Sequence, residues 1–203
     1  MKKVLSLFLS FVLVTTFFTA CAPTPKPEES VKELMEATKQ IDFEAIQNVL
    51  NPDAPSESSE NPMETEDFAF ILDTLKEYAQ KMTYEVQEAT VDEDSAQVPV
   101  KVTYVDASTL IGEIITEALQ QAMVQAFSGK ELTQEETNQI IMDIFNEKKD
   151  VVGENMTETT LTFSCQKIDG KWQISDVDQT AYLDVLTANM WSTFSELSES
   201  FGS

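Results

Sequence analysis

The chain contains no arginine and no histidine. All of its 13 cations are lysines, set against 36 Asp and Glu in 203 residues, which gives a formal charge of −23 and a pI near 4.1. The absence of His excludes imidazole acid–base catalysis and His-ligated zinc. The absence of Arg removes the bidentate reader of phosphate, and lysines scattered through so acidic a chain do not make a clustered cationic surface, so no nucleic-acid partner is expected. Glycine is scarce, with five residues, and no Gly-rich phosphate loop occurs. The two cysteines, Cys21 and Cys165, show no zinc spacing, and no cofactor or metal is implied. What remains is a 42% hydrophobic composition in a length that suits one domain with a real core.

Met1, Lys2 and Lys3 form a short positive segment, and Val4 to Phe18 is an apolar run broken only by small hydroxyl residues. That run is too short for a permanent bilayer span, and small residues follow it at Thr19-Ala20-Cys21, so it reads as an export signal. Ala22-Pro23-Thr24-Pro25-Lys26-Pro27 then reads as an extended tether. Thr19, Ala20 and Cys21 resemble the bacterial lipoprotein signal, with Phe18 where the lipobox usually has Leu. The resemblance implies a diacylglyceryl thioether on Cys21, cleavage before it, and in many species acylation (palmitate or a similar chain) of its amine. Two acyl chains suffice for stable anchoring. The plain alternative is a secretory signal that leaves Cys21 a free thiol. The expected division is a signal peptide over 1–20, a Pro-rich tether over 21–29 and one domain over 30–203. Loss of residues 1–20 removes two lysines and no acid, leaving 11 against 36, a charge of −25. Cys165 then has no intramolecular partner, so the domain must be held by its core.

Ser30-Val31-Lys32-Glu33 fits a capping box, and Asp42 stands as a second N-cap, so residues 30–50 form two short helices or one bent one. Asn51 to Glu66, with three prolines and five acids, reads as a loop. Phe68, Ile71, Leu72, Leu75, Tyr78 and Met82 keep helical spacing. Thr83 to Val91 and Val98 to Tyr104 form a hairpin with one buried face, Pro99 placing its strand at an edge or a bulge. Ser108 to Phe127, ending at Gly129, and the helix opened by the capping box Thr133-Gln134-Glu135-Glu136 make a helical hairpin whose apolar face must cover something. Asp169-Gly170 signals a tight turn between Thr157–Ile168 and Lys171–Val177. Its register pairs Ile168 with Lys171, Cys165 with Ile174 and Phe163 with Asp176, making Cys165 a buried hydrophobe. Leu183, Leu186, Met190, Phe194, Leu197 and Phe201 predict a single closing helix. This order gives an α+β domain with an antiparallel sheet of about four strands.

Ala37-Thr38-Lys39-Gln40-Ile41-Asp42-Phe43-Glu44-Ala45, the lipobox ahead of it and Asp169-Gly170-Lys171-Trp172-Gln173-Ile174 resemble small bacterial lipoproteins of NTF2-like (cystatin-like) fold. The resemblance covers residues 30–105 and 157–178, and implies a bent antiparallel sheet packed on N-terminal helices. The helical insert at 107–150 and the C-terminal helix depart from it. Such folds host enzymes, ligand cups and interaction domains alike.

An enzyme of this kind would place a carboxylate base and a Tyr on the inner face of the sheet, and strand phase puts Tyr104, Asp106 and Asp176 in line for it. The plainer reading makes both carboxylates turn and helix-start residues. Asp176-Val177-Asp178 begins like a calcium loop, but Ala181 and Thr187 stand where that loop needs Gly and Glu. Two expectations follow. One is a non-enzymatic, lipid-anchored extracytoplasmic domain that binds a small apolar ligand, a peptide or another subunit, a homodimer included. The other is a small isomerase or hydrolase with Asp106 or Asp176 buried beside Tyr104. The acidity, repelled by an anionic bilayer, suggests a domain held off the membrane on its tether.

Overall fold

The computed structural model describes residues 25–52 and 69–201. The signal segment, Cys21 and nearly all of the acidic stretch 51–66 lie outside the described residues. Those described form a mixed α+β domain of seven helices and a bent five-stranded antiparallel sheet, one strand more than expected.

Helices α1 (Pro27–Gln40) and α2 (Phe43–Leu50) open the domain. Asp42 is the predicted N-cap, its carboxylate accepting from the Ala45 N–H at 2.9 Å. Ser30 is not a cap. The helix begins one turn earlier, and Pro27, Glu28 and Glu29, expected in the tether, are its first turn. Proline suits that position because the N–H it lacks would have had no helical partner there. The Ser30 hydroxyl instead donates to the Trp172 carbonyl oxygen at 2.7 Å.

Helix α3 (Ala69–Lys81) leads into β1 (Thr83–Val86), β2 (Thr90–Asp92) and β3 (Ser95–Val105). β1 and β2 both pair with one edge of β3, and β4 (Met156–Ile168) pairs with the other. Pro99 therefore lies in an interior strand and not at an edge. The N–H and C=O of a strand residue point to the same side, and the Pro99 carbonyl accepts from Gln87 N–H at 2.9 Å. Its missing N–H thus faces the interruption between β1 and β2, where the ladder has a gap.

Helices α4 (Ser108–Phe127) and α5 (Gln134–Val152) form the inserted hairpin. The Thr133–Glu136 capping box is present in both directions, and Lys148 of α5 reaches Glu117 of α4 at 2.7 Å. β5 (Lys171–Asp176) returns along β4 through Asp169 (φ 51°) and Gly170 (φ 80°), the paired left-handed residues of a tight hairpin turn. Ile168 pairs with Lys171 and Cys165 with Ile174, as expected. A bulge between Ser164 and Cys165 then shifts the register, so that Asp176 pairs with Ser164 and not with Phe163.

The closing segment is two helices, α6 (Gln179–Leu186) and α7 (Met190–Phe201). The break at Ala188 and Asn189, both with positive φ, docks on the end of β3, where Ala107 N–H donates to Ala188 O at 2.8 Å.

One core lies between α1, α2, α6 and the inner sheet face, where Val98, Val100, Val102, Leu161, Phe163 and Cys165 alternate inward. A second joins α3 to the hairpin and the α6–α7 break around Leu75, Tyr78, Leu110 and Phe145.

Candidate functional site

Tyr104, Asp106 and Asp176 do not assemble. Tyr104 pairs with Thr157 and Asp176 with Ser164, seven positions apart on β4, which is about 23 Å along a strand. Asp176 is exposed at the end of β5.

Tyr104 and Asp106 are near one another, but their surroundings are those of a structural joint. Asp106 Oδ1 accepts from Ser108 N–H at 3.1 Å and from the Asn189 amide at 3.0 Å. Partial burial pushes this carboxyl up, but the hydrogen bonds from Asn189 and Ser108 outweigh it and hold the group below its ordinary value. A general base needs the opposite shift. Burial, with the charges of Asp184 and Asp106 behind it, raises the Tyr104 phenol, which stays neutral. Asp184 is itself engaged, accepting from Ser192 N–H at 2.9 Å and Ser192 Oγ at 2.6 Å.

The space beside Tyr104 is filled. A cavity of about 10 Å³ remains among Leu75, Tyr78, Met82, Tyr104, Val185 and Ala188, room for one water at most. Cys165, 1% exposed, has its thiol pushed up to about 11 by burial and by the charge of Glu28. It is inert in that state.

The open site lies elsewhere, between α2, β5 and α6. A groove of about 440 Å³ is walled by Ile46, Leu50, Ile174, Val177, Leu183 and Leu186 and edged by the exposed Asn51, Asp176 and Gln179. That volume and mixture suit a small ligand. Periodicity marks which face of an element is apolar but not whether the facing elements close on it, so the position of this groove is not readable from the sequence. Asp176 belongs to this site as a rim residue. A second exposed apolar surface lies on the inserted hairpin, where Leu119, Met123, Val124 and Phe127 are 58–86% exposed.

Among the described residues, no cluster of three His, Cys, Asp or Glu could hold a metal ion, and no helix is long and apolar enough to cross a membrane.

Fold and site together define, among the described residues, a mixed α+β domain whose space beside Tyr104 is filled and which has an apolar groove open between α2, β5 and α6. No protein-family model matches the chain, and no curated protein matches it. Among solved structures it is similar to YcdA of Bacillus subtilis subsp. subtilis str. 168, described as a candidate lipoprotein, with 17% identity and a TM-score of 0.42. The likeness covers 79% of this chain and 46% of that one, so this chain spans less than half of its neighbour's length.

Proposed function

We propose that this protein is a lipid-anchored, extracytoplasmic binding domain of NTF2-like (cystatin-like) type, non-enzymatic, whose groove between α2, β5 and α6 takes a small apolar ligand or the apolar side chains of a peptide. The lipobox Thr19-Ala20-Cys21 supports the anchor, with Cys21 as the attachment residue. Two helices packed on the inner face of a bent sheet whose last hairpin turns at Asp169-Gly170 support the fold type. The observation that carries the binding reading is the contrast between the space beside Tyr104 and the apolar groove. The space beside Tyr104 and Asp106 holds about 10 Å³, whereas the apolar groove 23 Å or so along the sheet holds about 440 Å³. The isomerase or hydrolase alternative needs Asp106 or Asp176 as a base beside Tyr104; Asp176 is about 23 Å away along the sheet, and Asp106 is held by Ser108 and Asn189 with its carboxyl lowered and about 10 Å³ of space beside Tyr104.

The test uses the full chain, expressed in a bacterium and extracted from its membranes with mild detergent. Native mass spectrometry should find a co-purifying apolar molecule, or the protein should bind an apolar fluorescent probe that Leu183→Glu abolishes. An empty protein whose probe binding is indifferent to Leu183→Glu overturns the groove reading. Light scattering on the same sample reports whether two copies associate. Metabolic labelling with palmitate, lost in Cys21→Ser, tests the anchor separately.

A further inference from the structure

The domain begins closer to its anchor than the proline-rich sequence implies. The Trp172 indole N–H donates to the Pro25 carbonyl oxygen at 3.1 Å, Pro27 is buried, and the Ser30 hydroxyl bonds the Trp172 carbonyl at 2.7 Å. The chain is therefore fixed to the β4–β5 hairpin from Pro25 onward. Only Ala22, Pro23 and Thr24 separate that point from Cys21. Whatever their conformation, four Cα steps span at most about 14 Å, whereas nine steps to Ser30 would span about 32 Å. The headgroup layer itself takes up about 5–8 Å of this reach.

We infer that the protein's β4–β5 hairpin end sits against the headgroups of the bilayer that holds its lipid, rather than being suspended away from it. The inference rests on the lipid anchor proposed above. The surface comprises Pro25 and Lys26 just ahead of α1, and Ile168 and Lys171 at the hairpin turn, with Ile168 47% exposed. The occupant is the lipid surface, and the tether length selects it. Charge does not, because Lys26, Lys167 and Lys171 share this end with Glu28, Asp94 and Asp169, Lys167 N–H donating to the Asp94 carbonyl at 2.8 Å. The placement gives the rest of the molecule a direction. β3 starts beside this end, Ser95 pairing with Gln166, and its eleven residues carry the chain about 35 Å away before α4 begins. The groove starts at Ile174, toward the far end of β5. That is only three residues, about 10 Å, from Lys171, so the root of the inserted hairpin, and not the groove, lies at the end remote from the bilayer.

The test uses the full lipidated chain in vesicles of phosphatidylethanolamine and phosphatidylglycerol that carry a headgroup spin label. A fluorophore is attached at Ile168→Cys or, in a second sample, at Phe127→Cys, both in a Cys165→Ala background. Quenching at position 168 should exceed that at 127 several-fold. A Gly/Ser insert of about twenty residues between Thr24 and Pro25, which adds roughly 25 Å of mean reach, should bring the two to similar values. Equal quenching in the uninserted lipidated chain, or an undiminished difference after insertion, overturns the placement while leaving the anchor intact. Mass analysis of the N-terminal peptide separates the two ideas: a chain without lipid on Cys21 overturns the anchored reading, and the placement with it.

Discussion

Tyr182 donates its phenolic proton to the hydroxyl of Thr38, with 2.7 Å between the oxygens and 144 positions between the residues. The direction follows from Thr38, whose single proton is committed to the Leu34 carbonyl at 2.8 Å. Both side chains are buried. Burial pushes the Tyr182 phenol up to about 12 even though the Thr38 bond opposes it, so the group is a neutral donor throughout the working range. The pair ties α1 to α6 over the inner face of the sheet, and the Tyr182 ring meets Phe163 edge-on at 6.3 Å.

Removing either partner should therefore have unequal effects. Tyr182→Phe keeps the ring and loses one net hydrogen bond, about 0.5–1.5 kcal/mol. Thr38→Val strands a buried phenol donor and should cost more, about 1–3 kcal/mol. The double variant should be less destabilised than the sum of the singles, because no orphaned group is left. Urea midpoints of the four proteins check this, and strict additivity would show that the two hydroxyls do not interact.

The legibility of the fold from sequence divides along one physical line. Features closed within a few residues are readable: the Thr133–Glu136 box, the Asp42 cap and the Asp169-Gly170 turn all form as their local chemistry predicts. Features decided by a distant partner are not. Ser30-Val31-Lys32-Glu33 has the same local pattern as Thr133–Glu136, yet the Ser30 hydroxyl goes to Trp172, 142 residues away. The spacing of Leu186, Met190 and Phe194 runs across the α6–α7 break without a mark. The helix stops because Ala188 and Asn189 bond to Ala107 and Asp106, contacts that no window of sequence contains. Strand phase singles out Tyr104, Asp106 and Asp176, but it fixes the face of a sheet and not the distance along it. The groove is hidden from sequence for the same reason.

The Asp106 joint predicts acid sensitivity of a defined sign. Its folded-state carboxyl lies below the ordinary value, so its contribution to stability is complete above the unfolded pKa and is lost as pH falls through the folded one. Glu136 behaves likewise. Its bond from Lys130, then those from Thr133, outweigh desolvation and lower it from 4.5 to about 2, so its share should be lost between those values. Asp106→Asn should flatten the fall in melting temperature on acidification relative to wild type, while lowering stability at neutral pH. A variant with an unchanged acid profile would show that Asp106 is not held as described.

Two glycines should respond oppositely to alanine. A Cβ at Gly153 would lie 2.8 Å from Tyr78 Cε1 and 3.1 Å from the Lys149 carbonyl. The Tyr78 hydroxyl donates to that same carbonyl at 2.6 Å, so the ring cannot retreat without losing its bond. Gly153→Ala should cost about 1–3 kcal/mol. Gly112 lies inside α4, where a Cβ would meet nothing within 4 Å, and Gly112→Ala should add about 0.5–1 kcal/mol through helix propensity. Thermal melts of both variants decide it.

Cys165 should resist thiol reagents in the folded protein. With its thiol raised to about 11 and its side chain buried, alkylation near pH 8 should proceed only as fast as the chain opens. Labelling in urea should proceed at the rate of a free cysteine. Rapid modification of the native protein would mean that the inner face of β4 is not covered by α1.

Trp172→Phe preserves most of the apolar packing of a ring that is 8% exposed but deletes the N–H that holds Pro25. The global cost should be modest, about 0.5–1.5 kcal/mol, while the first turn of α1 loses the bond that fixes its approach. Hydrogen exchange should therefore quicken at Glu28 to Ser30 and remain slow at Leu34 and Met35, which are fully buried. Ser30→Ala should produce a smaller version of the same pattern, since it removes the second bond between α1 and β5. If the clamp sets the length of the tether, freeing it returns Pro25 to Glu29 to the linker and lengthens the reach from Cys21 by several residues, about 3.3–3.6 Å each. In the anchored protein, headgroup quenching at position 168 should then fall in Trp172→Phe without any insertion. Local exchange and membrane proximity would thus change together, as they must if the same indole N–H controls both.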